Sequence, residues 1–390
     1  MDFTETPEDR AFRAKARDWL QTHVPREERP LDGDASIAFD KAWQRQQFDA
    51  GWAGIAWPTA YGGLGLPLVQ QMIWWEEYAR AEAPNVGHLF VGLNHGGPTL
   101  IERGSDAQKA FHLPRILSGD AVWCQGFSEP GAGSDLAGIR TRAVLDEDHL
   151  IVSGSKIWTS FAQHADYQEL LVRTDPTSRR HRGLSWVICD MRAPGIEIRP
   201  IINITGTHDF NQVFYNDVRI PLTEVVGGLN DGWKTAMTTF SFERGTGMIC
   251  FQVELAHLVE ELINYARENT GLDGRPLLQD EEIASRLATL RAEISALRAM
   301  TYLNISRAQR GADKELGSPM TIAALYHGEL AKRIERAAFD LAGPCRLELH
   351  RRPSDWTYQY LRSFPKTIAG GTSEIRRNII AERVLGLPRV

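Results

Sequence analysis

The chain changes its period twice, and few architectures accommodate that. From about residue 121 to 220 it carries short runs rich in β-formers with turn residues between them: "VWCQGF", "GIRTRAVL", "DHLIVSG", "YQELLVRT", "GLSWVICDM", "GIEIRPI" and "NQVFYNDVRI". Several alternate apolar with polar at a spacing of about ten residues, which predicts a sandwich or barrel rather than βαβ units. No GxGxxG follows a strand, which argues against a dinucleotide fold of the Rossmann type. On either side the period is helical. Thr6-Pro7-Glu8-Asp9 reads as an N-cap, a proline at the first helical position and acids in the first turn, and Phe12, Ala16, Trp19 and Leu20 follow at helical spacing. Further helices are predicted near 36–50, 67–83, 86–104 and 106–118, and after "PLTEVVGGLNDGWK" over 231–268, 280–310, 318–342 and 373–384. The expected fold class is therefore α+β and multidomain. Residues 1–120 form an N-terminal helical domain, 121–230 a central antiparallel β-barrel or sandwich, and 231–390 a C-terminal four-helix-bundle domain.

Length agrees, since 390 residues exceed a single compact core. A formal net charge of −6 leaves no electrostatic footprint for nucleic acid, and no Lys/Arg cluster overturns that. Acids in the first ten residues and the lack of an apolar h-region argue against a signal peptide. No apolar run approaches membrane-spanning length. Cys124, Cys189, Cys250 and Cys345 show no metal-ligand spacing, and reduced thiols in a cytoplasmic protein are expected.

Three stretches could carry chemistry. "GFSEPGAGSD" (126–135) packs three glycines and a proline into a turn whose amides, with the hydroxyls of Ser128 and Ser134, can converge on an anion; such clusters are also common as plain turns. "GSKIWTS" (154–160) places Trp158 beside Thr159 and Ser160. That suits a flat ring with polar edges, although a tryptophan by itself is more often core. In "KTIAGGTSEIRRNIIAERVLGLP" (366–388) a Gly-Gly turn leads into Thr372-Ser373 at the start of a helix, a setting that binds phosphate.

Together the three resemble the acyl-CoA dehydrogenase family over nearly the full chain, and the α–β–α order matches that family too. The resemblance implies FAD lying against the β-domain, a carboxylate that takes the α-proton of a CoA thioester, and a hydride that leaves the β-carbon for flavin N5. The product would be the trans-2-enoyl-CoA, and an electron-transfer flavoprotein would accept the electrons. Carried over by position, Ser128 and Ser134 look like ribityl and pyrophosphate contacts with the turn amides near Gly133. Trp158 would flank the isoalloxazine, Ser160 would bond near N5, and Thr372 and Glu374 would reach FAD from the C-terminal side. Ser134 and Arg244 are also candidate substrate contacts. No metal is implied. The resemblance is nearest to bacterial members associated with branched or sterol-derived acyl chains.

Two departures from the family pattern matter. Medium-chain-like members carry the base directly before the Gly-Thr of the C-terminal signature, where this chain has Gly370, and Glu374 is a poor substitute. Between Thr235 and Val253 the only charges are Glu243 and Arg244, in "SFERGTG". A buried carboxylate there is either a structural ion pair or a general base tuned by burial. Isovaleryl-like and long-chain-like members place their base at this position, directly before an Arg, so the resemblance assigns the base to Glu243, with Arg244 structural or orienting. Gly245 and Gly247 either make room for a bulky acyl chain or permit close helix packing. The second departure is "RENTGLDGRPL" (267–277), which stands where many members have R-x-F-G reaching the neighbouring subunit's FAD; neither Arg267 nor Arg275 is in register. A homo- or heterotetramer is expected. The competing readings are a flavin monooxygenase or oxidase on the same scaffold, a non-catalytic FAD-site partner subunit, and a carrier-protein thioester in place of CoA.

Overall fold

The strands of the middle region are β1 Trp123–Gly126, β2 Arg142–Asp146, β3 His149–Ser160, β4 Tyr167–Arg173, β5 Leu184–Asp190, β6 Ile196–Ile201, β7 Phe210–Pro221 and β8 Val225–Val226. They form one sheet in the order β6-β7-β3-β2-β4-β5-β8, with β1 also paired to β4. On β4, Leu170 and Val172 enter one apolar core and Leu171 another; on β5, Val187 and Cys189 are divided in the same way from Trp186 and Ile188. Both faces of these strands are covered, which is why "ELLV" and "LSWVIC" read as continuous rather than alternating runs.

The computed structural model describes residues 5–85, 87–178, 180–243, 248–309, 317–352 and 354–388. Of the residues singled out above, Arg244, Gly245 and Gly247 lie outside these, and so does the side chain of Glu243. Packing gathers the described chain into two units of non-consecutive segments, one made of 25–66 and 84–243, the other of the first 24 residues, 67–83 and 244–390.

In the sheet-containing unit the alternating strands pair antiparallel, as their pattern predicts. The exception is at β4, to which β1 runs parallel from Trp123↔Tyr167 to Gly126↔Leu170 and β2 at Arg142↔Arg173. Both pairings follow from the chain between β1 and β2, which makes a long excursion instead of a hairpin. Helices α2 (Gly33–Asp49), α4 (Gly97–Arg103), α5 (Asp106–Leu117) and α6 (Gly232–Glu243) belong to the same unit. Leu100, Leu113, Ile116 and Ala236 from these helices pack on Trp123, Leu171 and Trp186 of the sheet. Only glycine fits at Gly97, where a Cβ would stand 2.2 Å from the Trp57 ring.

The helical unit holds α1 (Pro7–His23), α3 (Leu68–Arg80), α7 (Met248–Glu268), α8 (Glu281–Gln309), α9 (Gly317–Leu341), α10 (Trp356–Ser363) and α11 (Ser373–Ile379). The predicted cap of α1 is present: the Asp9 amide donates to Thr6 Oγ1 at 3.1 Å. Leu255, Val259, Leu262 and Ala266 make one stripe along α7 at intervals of three and four, and it packs on Leu287, Leu290, Ile294 and Leu297 of α8 and Leu330 and Ile334 of α9. Buried Glu76 and Glu77 are compensated by Arg13 at 2.9 and 2.7 Å. Among the described residues no helix is long and apolar enough to cross a membrane, and no group of three or more His, Cys, Asp or Glu could hold a metal ion.

Candidate active site

The chain leaves the edge of β4 after Gly126, opposite Leu170, and returns at Arg142, opposite Arg173. Residues 127–141 loop out between these points and contain the glycine-rich turn. What closes the base of the loop is a buried ion pair. Lys156 of β3, with no exposed surface, donates from Nζ to Glu129 Oε1 at 2.8 Å and to the Phe127 carbonyl at 3.0 Å. Glu129 also accepts from the amides of Arg140 at 2.6 Å and Thr141 at 2.9 Å, so one carboxylate holds both limbs of the loop. Burial lowers the Lys156 ammonium to about 8, against the pull of Glu129. Burial works the other way on Glu129, but the charge and hydrogen bond of Lys156 and the loop amides hold its carboxyl below the ordinary range. A pair of this kind is stabilising only when further hydrogen bonds support it, as those from Arg140 and Thr141 and to Phe127 do here.

Ser128 is half-buried, and its carbonyl accepts from the Ile157 amide at 2.9 Å, which ties the loop to the strand that carries Trp158. Ser134 is exposed, and a Cβ built at Gly131 or Gly133 would meet nothing within 4 Å, so the turn presents its backbone to open space. A recess of about 350 Å³ runs beneath it, lined by Glu129, Gly131, Arg140, Thr141 and Ser155.

Trp158 does not behave as a core tryptophan. The pairing of β3 with β7 slips between Lys156 and Thr159, and at that bulge Trp158 takes a left-handed φ of 60° with 58% of its surface exposed. A left-handed backbone is uncommon for a bulky residue, and such bulges re-aim side chains. The indole meets Phe210 edge-on, ring centroids 6.1 Å apart. Next to it, Thr159 Oγ1 is buried with no hydrogen-bond partner among the described residues, and Ser160 is half-buried in register with Phe210. An exposed flat ring, an orphaned hydroxyl and an open glycine turn on adjacent backbone are the features a flat, polar-edged cofactor such as a flavin needs.

Helix α6, which ends at Glu243, belongs to the same unit. Phe240, one turn before Glu243, meets Phe127 edge-on at 5.7 Å, and Thr239 Oγ1 bonds Thr99 Oγ1 at 2.9 Å. The structure thus brings the helix of the candidate base to the start of the Ser128 loop. Thr372 and Glu374 lie in the helical unit. Thr372 caps α11 through the Ile375 amide at 3.3 Å, following Gly370 and Gly371 with φ of 64° and 98°, and Glu374 is exposed. Gly370 offers no group able to take a proton. Arg267 donates to Asn264 at 2.7 Å, and Arg275 pairs with Asp273 at 2.8 Å, so both are engaged locally. A second recess, about 620 Å³ between α8, α9 and Phe364, is lined by none of these residues.

Sequence reasoning missed the Lys156–Glu129 pair. A signal for it existed: strand parity places Lys156 on the same face as buried Val152, and a lysine there requires a buried acid.

Residues 6–120, 124–218 and 230–385 match the family models described as the N-terminal, middle and C-terminal domains of acyl-CoA dehydrogenase. The chain is 38% identical over 386 residues to Acyl-CoA dehydrogenase IpdE1 of Mycobacterium tuberculosis, covering 97% of each. It is 35% identical over 394 residues to Acyl-CoA dehydrogenase FadE29 of the same organism, covering 99% of this chain and 98% of the relative. Among solved structures, the Tcur3481-Tcur3483 steroid ACAD superposes with a TM-score of 0.87 at 31% identity, with full coverage of both chains. The ChsE4-ChsE5 complex from Mycobacterium tuberculosis does so with a TM-score of 0.85, also at 31% identity and full coverage.

Proposed function

The chain belongs to the acyl-CoA dehydrogenase family, and from that premise we propose that it introduces a trans-2 double bond into an acyl-CoA thioester, with FAD as cofactor and Glu243 as base. The observation that carries the flavin part is the strained, outward-turned Trp158 beside the stapled loop 127–141. In this reading Ser128, Ser134 and the amides near Gly133 hold the ribityl and pyrophosphate parts. Trp158 flanks the ring, Ser160 bonds to its polar edge, and Thr372 and Glu374 contact it from the C-terminal segment. Bound FAD supplies the acceptor for the hydride that leaves the β-carbon.

The protein's own work is the proton. Glu243 ends an apolar helix and takes the α-proton of the thioester; an apolar setting raises a carboxyl towards neutral pH and makes it an effective base. Ser134 and Arg244 contact the substrate, and Arg244 orients Glu243. Three domains, 1–120, 121–230 and 231–390, divide these tasks.

The acyl group proposed is a bulky, steroid-derived one, supported by the likeness to a steroid ACAD, and the electron acceptor is an electron-transfer flavoprotein. A tetramer with two kinds of subunit is favoured over a homotetramer by one observation. The loop 267–277 engages both its arginines locally, which leaves a cross-subunit flavin contact to be supplied by another chain.

Anaerobic titration of the yellow protein with straight, branched and steroid-derived acyl-CoA esters tests this. Bleaching of the visible flavin band, strongest with the steroid-derived class, is expected. A flavin-loaded protein that no CoA thioester bleaches would overturn it.

A further inference from the structure

Phe161, three residues after Trp158, also takes a left-handed φ, 56° beside the 60° of Trp158. Two bulky residues in that conformation bracket Thr159 and Ser160, and such a backbone persists only where its surroundings fix it. Part of the support comes from β7 and the residue before it. The Phe161 amide donates to the Asp209 carbonyl at 2.9 Å, and Asn211 Nδ2 donates to the Thr159 carbonyl at 3.2 Å and to Gln163 Oε1 at 2.6 Å. Another part comes from outside the sheet. The His88 ring lies against the Phe161 ring, centroids 4.2 Å apart, and meets His164 edge-on at 5.2 Å.

Packing alone does not set the His88 ring. His88 is buried in the short turn Gly87–Leu89, and its ring Nδ1 and its own amide both reach Asp40 Oδ2, on α2, at 2.7 and 3.0 Å. A carboxylate only accepts, so Nδ1 carries the proton, and two bonds to one acceptor fix the ring on its turn. Arg29 grips the same carboxylate in a two-pronged pair, Nε to Oδ1 at 2.6 Å and Nη2 to Oδ2 at 2.7 Å. Burial works against the charge on Asp40, but the bonds from Arg29 and His88 hold its carboxyl below the ordinary range. A Cβ on Gly87 would strike Asp40, so the turn closes directly on the carboxylate. A continuous line of contacts therefore runs from α2 through Arg29, Asp40 and His88 to Phe161. We propose that Arg29, Asp40 and His88 are positioning residues, which hold Phe161 and with it the backbone of 158–161 in the geometry that turns Trp158 and Ser160 to the flavin. This rests on the flavin reading above and deepens it, because it names what outside the sheet keeps the strained bulge in place.

The test combines amide hydrogen exchange, read on the flavin-free protein, with equilibrium binding of FAD. The variants are His88→Asn, which keeps a donor for Asp40 but removes the ring, and Asp40→Asn, which keeps the shape but removes the charge. Phe161→Gly is added because it removes the supported ring while easing the left-handed backbone, so the fold is retained. Arg13→Met serves as the control: it breaks a buried ion pair in the helical unit and costs stability without touching this line of contacts. In the two Asn variants, exchange over 157–164 should rise about tenfold or more while β4 and β5 exchange as in the wild type. The affinity for FAD should fall about tenfold in all three variants, with a shifted visible band, and the control should match the wild type in both readings. Exchange over 157–164 that is unchanged in the Asn variants, or raised equally across β4 and β5, would overturn the proposal. So would a Phe161→Gly protein that binds FAD as the wild type does. Exchange is read without flavin, so a wild type that binds no FAD would contradict the flavin reading itself, and the exchange result would still decide whether these residues hold the bulge.

Discussion

Lys156 and Trp158 stand two residues apart on one strand, and the structure gives them opposite fates. Lys156 is fully buried and Trp158 mostly exposed, the reverse of what their chemistry alone would favour. Each inversion has a cause that can be tested separately. Lys156→Met removes the cation from a carboxylate that keeps its burial, so the loss of stability should be about 3–5 kcal/mol, read from the urea midpoint, with flavin released as the loop 127–141 opens. An unchanged midpoint would mean that the pair does not hold the loop. Trp158→Ala should behave in the other way. A core tryptophan would cost about 3–5 kcal/mol on truncation, whereas an exposed one should shift stability by about 0.5 kcal/mol or less. The flavin spectrum and affinity should nevertheless change. A large loss of stability with an unaltered flavin spectrum would return Trp158 to a purely structural role.

At the scale of elements, the excursion between β1 and β2 and the slip between β3 and β7 make the site, and the Glu129 carboxylate joins them. Its folded pKa lies below the ordinary value of 4.5. The stability it contributes is therefore fully present above that value and falls away as pH drops through the folded one. Urea midpoints measured between pH 7 and pH 3 should show an acid-side decline that Glu129→Gln flattens. An identical decline in the variant would assign it to other carboxylates. Much at this scale was legible in the sequence. The change from a period of 3.6 to 2 marks the strands, and Thr6-Pro7-Glu8-Asp9 gives the start of α1 to the residue. The parallel pairing of β1 and β2 with β4 was not legible, because it joins segments far apart in the chain, Trp123 with Tyr167 and Arg142 with Arg173, and depends on where a long loop returns. The bulge at Trp158 was also hidden: "GSKIWTS" alternates well enough to read as plain strand, and only the pairing with β7 shows the extra residue.

For the whole molecule, side-chain packing sends α1 and α3 to the C-terminal helices and the rest of the first 120 residues to the sheet. Helical period names the face of a helix that will be buried but not its partner, so this division could not be read from the chain. The proposed two-chain assembly makes its own prediction at this scale. Flavin content per chain should rise, and a defined heterotetramer should form, when the protein is produced with its partner subunit. A full flavin complement in a homotetramer would contradict it. Glu243 is proposed as base from the sequence itself, where a lone charged pair among nineteen residues and an empty position at Gly370 point to the same residue from two places. The rate of flavin bleaching by a steroid-derived acyl-CoA under anaerobic stopped flow, wild type against Glu243→Gln, tests that assignment most directly. Both proteins should hold FAD, and the variant should be bleached at least about a hundredfold more slowly. A variant bleached at the wild-type rate would remove Glu243 from the reaction.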